Sequence, residues 1–429
     1  FDVGWKIASG TFGQTLNTVF FGVGPANFVD AFTLYRPISL NNTVLWNTRF
    51  TSGGPFYFYL LTTVGLVGLC AMIFLVYRVL KLARKRFELN LSVLEKGLFI
   101  SLGLILAIFA VLPSTTTLTV AMFSVLGFLV VYFNLAENTS VVHQKEISLP
   151  ENFIINSIIP LVVLVLIFFV GAGLGKVLMA DYYYAQSLYA ANANLGADTY
   201  NLQIQAVTLN PNNDNYRVAY AQTNLALADS LASQKDLTEE QKNMVTQLVQ
   251  QAIREGRNAA SLQPLKASNW ENLANIYRSL INFAQGADQW TLASLNQAIS
   301  LDPTNASLRF ALGSLYFSAN NWQSAAQAFS LAANLKPDYA NAHYNLAQSL
   351  KALNLTEQAV QELQLTAQLV CATENADCDK VNQEIQDVTA PISSASAELA
   401  TPSAAVKNLP NAKTTPPVKI SSPSGEIRQ

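Results

Sequence analysis

The sequence predicts an all-α protein in three parts: polytopic transmembrane helices, an α-solenoid of helix-turn-helix repeats, and a disordered tail. Three observations carry this. Of 429 residues, 51% are hydrophobic and only 13% are charged, against about 25% in an ordinary globular domain. The deficit is concentrated in runs without Asp, Glu, Lys or Arg, at Phe56–Tyr77, Gly97–Ala136 and Asn152–Gly175. After Lys176 the pattern changes, and Leu301-Asp302-Pro303 returns as Leu335-Lys336-Pro337, a shift of 34 residues.

Uncharged apolar stretches of about 18 residues or more read as bilayer spans. Four are expected within a membrane domain over 55–175, at about 56–77, 97–112, 116–134 and 154–174. As one helix, the run Gly97–Ala136 would measure about 60 Å, twice a bilayer core. Pro113-Ser114-Thr115 turns it into a hairpin. Arg78, Lys81, Arg84, Lys85, Arg86 and Lys96 lie between the first two spans. The positive-inside rule puts that loop in the cytoplasm. Residues 1–54 and everything after Lys176 then fall on the periplasmic or extracellular side of a multi-pass plasma (inner) membrane protein. Tyr182, Tyr183 and Tyr184 either join an interfacial aromatic belt or begin a soluble helix. The chain opens on Phe1 and reads as the C-terminal part of a longer protein.

A net charge of −2 argues against a nucleic-acid binder, which would show a basic face. No Cys/His cluster has zinc-ligand spacing, so no metal or cofactor is expected. Cys70 is a small apolar residue within a span. Cys371 and Cys378 either pair across the end of the last helix, as an oxidising compartment would allow, or remain thiols.

The repeat region extends over 176–389. Ala298 recurs as Ala332, Leu312 as Leu346 and Ala325 as Ala359, each by 34, a period that marks stacked helix-turn-helix units. Leu312, Gly313, Tyr316, Ala325, Phe329, Ala332 and Pro337 resemble the small and large positions of the tetratricopeptide repeat (TPR). The preceding unit, from Trp270 to Pro303, has about five extra residues near Gly286. Earlier units end at Pro264 and Pro211. Small residues let helix backbones approach and proline stops the second helix. Projection of the repeat places Asn275, Arg278, Ser314, Tyr344, Gln348 and Lys351 along a concave groove for a protein or peptide partner. From 390 to 429 the chain is Pro, Ser, Ala, Thr and Lys with few large apolar residues, a composition too poor in burial to order itself.

The outer-face segment 1–54 carries Gly22-Val23-Gly24-Pro25-Ala26-Asn27-Phe28, Tyr35-Arg36-Pro37 and Trp46-Asn47-Thr48-Arg49-Phe50. The glycines do not make a dinucleotide fingerprint, which needs a third glycine where Asn27 stands. Together with Gly65-Leu66-Val67-Gly68 at the first span, the order of motifs over residues 1–135 resembles the O-antigen ligase and polymerase family of membrane enzymes. The resemblance implies further spans upstream of Phe1. It also implies transfer of a glycan from a polyprenyl-pyrophosphate donor to an acceptor at the outer leaflet, by the complete protein and not by this part alone. Arg36 and Arg49 would then stabilise the departing pyrophosphate, with Gly22, Gly24, Asn27, Gly65 and Gly68 as binding residues. Relatives carry a histidine eleven residues before the Gly-x-x-Gly. Gly54 stands there in this chain, and Asp30 becomes the candidate base. The alternative is a non-catalytic, membrane-anchored TPR scaffold in contact with the lipid bilayer and a protein partner.

Overall fold

The computed structural model describes residues 2–87, 92–113, 115–135, 153–371 and 376–395, and the regular structure among them is helical. Most of the expected 135–153 connection, His143 with it, and the tail from residue 396 lie outside the described residues. The chain begins with α1 (Asp2–Phe12), α2 (Leu16–Phe21), α3 (Phe28–Tyr35) and a 3-10 turn (Ile38–Asn42). These pack on a core of Ile7, Phe28, Ala31 and Phe32, with Phe50 and Tyr59 against it. Segment 1–54 is thus a folded unit, seated on the start of the next helix.

The apolar section follows as α4 (Phe56–Phe87), α5 (Val93–Val111), α6 (Thr116–Leu135) and α7 (Phe153–Asn192). Phe56–Lys81, Val93–Val111 and Pro160–Asn192 are long and apolar enough to cross a membrane, whereas Thr116–Tyr132 is apolar but shorter. The expected hairpin at Pro113 is α5 turning into α6, joined by Phe99, Leu102, Ile105, Phe109, Met122 and Leu129. Ser92 starts α5 with a capping box: Glu95 N–H donates to Ser92 Oγ at 3.2 Å and Ser92 N–H to Glu95 Oε2 at 2.8 Å. Such a reciprocal cap satisfies two otherwise orphaned backbone donors. None of the most apolar stretch of α7 is buried in the protein.

Helix α7 does not stop where the apolar run ends. It continues to Asn192 and its second half pairs with α8 (Gly196–Leu209) as the first helical hairpin. The boundary expected at 175/176 falls inside one helix. Of the two readings for the tyrosine triplet, the soluble-helix one fits: Tyr183 and Tyr184 pack with Ala180, Ala206 and Tyr216, and Tyr216 Oη donates to Asp181.

Four more pairs follow: α9 (Asp214–Ala232) with α10 (Glu239–Leu262), α11 (Ala267–Ser279) with α12 (Ala287–Leu301), α13 (Ala306–Ser318) with α14 (Trp322–Leu335), and α15 (Ala340–Ala352) with α16 (Thr356–Val370). The TPR register holds in these pairs. Ala252, Ala259, Ala298, Ala325, Ala332 and Ala359 are fully buried, as close helix crossings require. Turns inside the repeats use Asn320 and Asn354 at φ 57° and 59°, a left-handed conformation that asparagine tolerates better than most residues. The extra residues near Gly286 lengthen the α11–α12 turn, as expected. Three turns between repeats, at Pro211, Pro264 and Pro337, carry a side-chain cap on the proline carbonyl from the residue six on. Arg217 Nε donates to Pro211 O at 2.8 Å, Trp270 Nε1 to Pro264 O at 2.8 Å, and His343 Nε2 meets Pro337 O at 3.0 Å.

The stack ends on α17 (Ala376–Ala395), which continues past the boundary expected at 390. Val381 and Val388 close over Ala347 and Leu363. Cys371 and Cys378 form a disulfide at the join, resolving the two readings in favour of pairing. An end helix of this kind covers the apolar face that a repeat stack otherwise leaves open.

Candidate functional site

The two glycine motifs of the sequence meet each other. Helix α4 breaks at Gly65, whose φ of 69° and ψ of −160° are not helical and belong to a region open essentially to glycine. The break frees the carbonyls of Thr62 and Thr63. Val23 N–H donates to Thr62 O at 3.0 Å and Gly24 N–H to Thr63 O at 2.9 Å. The two backbones nearly touch: a Cβ on Gly22 would lie 2.4 Å from the Thr63 carbonyl carbon, and one on Gly65 2.6 Å from that of Phe20. Asn27 holds the approaching loop by donating from Nδ2 to Val23 O at 2.9 Å. Gly68 instead faces Val64 and Leu60 of its own helix. The expected set Gly22, Gly24, Asn27 and Gly65 is therefore one construction, a backbone splice between loop and helix.

The arginines have another place. Arg36 is buried, donating from Nη2 to Asn41 Oδ1 and to Trp46 O at 2.7 Å. Asn41 is wholly buried and donates to Thr304 O and Leu335 O, both at 2.9 Å, two inter-repeat turns of the solenoid. Arg49 reaches the same surface, pairing with Asp302 at 3.0 Å and Glu271 at 2.8 Å. Lys336 Nζ donates to Asn41 O at 3.0 Å and stands 5.0 Å above the Trp46 ring, which lies 5.3 Å from the ring of Tyr339. The segment Arg36–Arg49 is thus a dock between the front unit and the repeats. Burial works against the Arg49 cation, but Glu271 and Asp302 more than offset it, so its pKa lies above the usual arginine value. Arg36 is pushed below that value by burial, with Asp302 opposing and Arg49 adding to the effect.

In this arrangement Arg36 and Arg49 pair with the chain's own carbonyls and carboxylates. Asp30 is held above its usual carboxyl value by burial, with Lys266 drawing it down and Asp214 pushing it up. Its charged neighbours are thus residues of the repeats. A separate cleft of about 410 Å³ lies where the front unit meets the α5–α6 turn, lined by Thr51, Ser52, Phe56, Tyr59, Thr115, Thr116, Thr119 and Val120. It is rich in hydroxyls and carries no charge. Among the described residues no group of three or more His, Cys, Asp or Glu could hold a metal ion.

Of the groove candidates, Asn275, Arg278 and Lys351 are exposed and Ser314 is half-buried. Tyr344 and Gln348 are bridged by Glu384 of α17, with Tyr344 Oη donating to its carboxylate at 2.6 Å. Glu384 therefore covers Tyr344 and Gln348, and Asn275, Arg278 and Lys351 remain open. Sequence reasoning missed Asn41, Glu271, Asp302 and Lys336. One signal could have found the last two: the 34-residue shift aligns Asp302 with Lys336, opposite charges at a buried turn position.

No family model matches the chain, and no curated protein matches it. Solved structures similar to part of it are repeat proteins. A crystal structure of MamA is 15% identical, over 52% of this chain and 98% of that one, with a TM-score of 0.36. PilF of Pseudomonas aeruginosa is 16% identical, over 52% and 90%, with a TM-score of 0.38. YrrB, described as a TPR protein with an unusual peptide-binding site, is 14% identical over 44% and 86%, with a TM-score of 0.33.

Proposed function

We propose that this chain is a membrane-anchored TPR scaffold that presents an open groove to a protein partner on the periplasmic or extracellular face. The observation that carries it is α7. One continuous helix joins an apolar stretch that the protein does not bury to the first hairpin of the solenoid. Apolar surface on that scale needs lipid around it, and a continuous helix gives the solenoid a rigid stalk. The dock supports a common side, because residues 36–49 and 302–339 must share it to touch. The Cys371–Cys378 disulfide suits an oxidising compartment.

The test has two parts. A thiol reagent added outside intact cells should label Gln327→Cys but not Lys96→Cys; the reverse pattern refutes the orientation. A displayed peptide library screened on the full chain in detergent should yield ligands whose binding is lost in Arg278→Glu with Lys351→Glu. Ligands indifferent to both changes would place recognition outside the groove.

A second reading, glycan transfer at the outer leaflet from a polyprenyl-linked donor, has one specific support. The helix break at Gly65 and the hydroxyl-lined cleft both lie at the end of the apolar section nearest the front unit. Broken helices in membranes are tolerated where they line a cavity or are buried in protein. On this reading Arg36 and Arg49 act only if the dock opens. Transfer by the complete protein that survives both Arg36→Lys and Arg49→Lys would remove them from the chemistry.

A further inference from the structure

The splice at Gly65 has a consequence for the depth of α2. The apolar helix Phe56–Lys81 starts at Phe56, so Gly65 lies about 13 Å along it at 1.5 Å per residue. The headgroup layer takes up about 5–8 Å on each side of the hydrocarbon core. Even with Phe56 at the outer edge of that layer, the crossing is at hydrocarbon depth. Phe20 and Gly22 touch the backbone of Gly65 there, and α2 cannot be elsewhere. Its large side chains are not covered by the protein: Leu16 is 78% exposed, Phe21 60% and Phe20 48%, beside Val67 of α4 at 47%. From Ile7 to Val29 there is no Asp, Glu, Lys or Arg. Thr18 Oγ1 shares its one proton between Thr11 O and Thr15 O, both at 2.8 Å, and Thr15 Oγ1 accepts from Thr18 N–H, while the amides of Gln14 and Asn17 stand exposed at the start of α2. The carbonyls freed by the break are paired as well, which an apolar surrounding demands of any non-helical backbone.

We propose that α2 and the loop to Asn27 form a re-entrant element dipping into the outer leaflet, with Leu16, Phe20 and Phe21 in contact with lipid acyl chains. This rests on the membrane reading of α4. The partner is lipid rather than water, because the patch continues the exposed apolar surface of a spanning helix and lies at its depth. The element holds the front unit against the bilayer beside α4, near the dock that joins it to the repeats.

The test uses the full chain in phosphatidylcholine vesicles with Cys70→Ser as background. A nitroxide is placed at Phe21→Cys or at Leu16→Cys, both exposed positions that tolerate a label. Phe74→Cys on α4 serves as the spanning reference and Gln327→Cys as the aqueous one. Both α2 labels should respond to dissolved oxygen and lose relaxation by a water-soluble nickel chelate, as position 74 does. Nickel access at 16 and 21 with position 74 shielded overturns the proposal and leaves the membrane reading standing. Shielding from both reagents at 16 and 21 overturns it too, since protein would then cover the face. Nickel access at position 74 removes the membrane reading and this proposal with it.

Discussion

Between Lys176 and Val370 the chain is joined by contacts between near neighbours in sequence, each helix packing on the next through buried alanines such as Ala298, Ala325 and Ala332. Between Asp2 and Leu135 some joins reach much further along the chain. Backbone meets backbone at Gly22 and Gly65, and Arg49 crosses 253 residues to reach Asp302. In water a helix pair gains by burying apolar side chains. On the membrane reading proposed above, the apolar helices would lose that gain against lipid, and close backbone approach and satisfied polar groups would take over there. A glycine or a buried charge therefore carries more in the front half than any one side chain does in the repeats.

Gly65→Val should be the most damaging change. It forces a side chain into a backbone region costing about 1–3 kcal/mol and overpacks the Phe20 carbonyl for about as much again. Loss on that scale is a large part of a typical stability of about 5–15 kcal/mol. The variant should fail to accumulate as a protease-resistant species in membranes, while an Ala325→Gly control does accumulate. Equal amounts of Gly65→Val and wild type would show that the splice is dispensable.

Arg49→Met comes next. Asp302 is fully buried, and a buried carboxylate stripped of its cation costs about 3–5 kcal/mol, unless the dock opens and lets water in. Either route loosens the segment from Trp46 to Phe50. Limited proteolysis of the detergent-solubilised chain should then cut there first, and Asp302→Asn should behave more mildly. An unchanged digestion pattern would mean that the front unit and the repeats are held by something other than this pair.

Ala325→Leu tests the other half. Three extra carbons at a fully buried crossing should cost about 1–3 kcal/mol, read as a lower denaturant midpoint for the repeats with the dock intact. If the midpoint stays in place, the helix crossing is not at Ala325.

These ranks also explain what the sequence made legible. The repeats could be read because their contacts recur at a fixed spacing: Ala325 and Ala359, Pro303 and Pro337. The apolar helices could be read because composition alone marks them. The glycine motifs were singled out, and the fold adds that their backbones meet. The dock left almost no trace. Asn41 meets turns 263 and 294 residues away, and no local pattern encodes a partner so distant. Arg36 and Arg49 stood out as the only arginines among residues 1–54. Which anions and carbonyls they answer to depends on how the solenoid folds back over the front unit, a tertiary fact.

The smallest expected effect concerns pH and is confined to the repeats. His343 Nδ1 meets Glu362 Oε2 at 2.6 Å and Nε2 meets Pro337 O at 3.0 Å. Both partners accept, so the ring satisfies them fully only with a proton on each nitrogen. The hydrogen bond to Glu362 accordingly raises the His343 pKa above its usual 6.5, with burial opposing. A raised pKa in the folded state means the extra stability is complete below about 6.5, the ordinary histidine value. It fades as pH climbs through the raised one. Neighbouring Asp338 is held low by Lys336 and stays charged throughout. Burial and Asp181 push the Tyr216 phenol to about 12, so it stays neutral. The pair is mostly buried, its side chains 11% and 23% exposed, and a hydrogen bond of this sort is worth about 0.5–1.5 kcal/mol. Melting of the full chain should thus fall slightly between about pH 6 and pH 9 in wild type, the interval that brackets the imidazole titration. His343→Gln should flatten that slope. A slope of the same size in the variant would assign the pH dependence elsewhere and leave His343 as a plain cap on the Pro337 carbonyl.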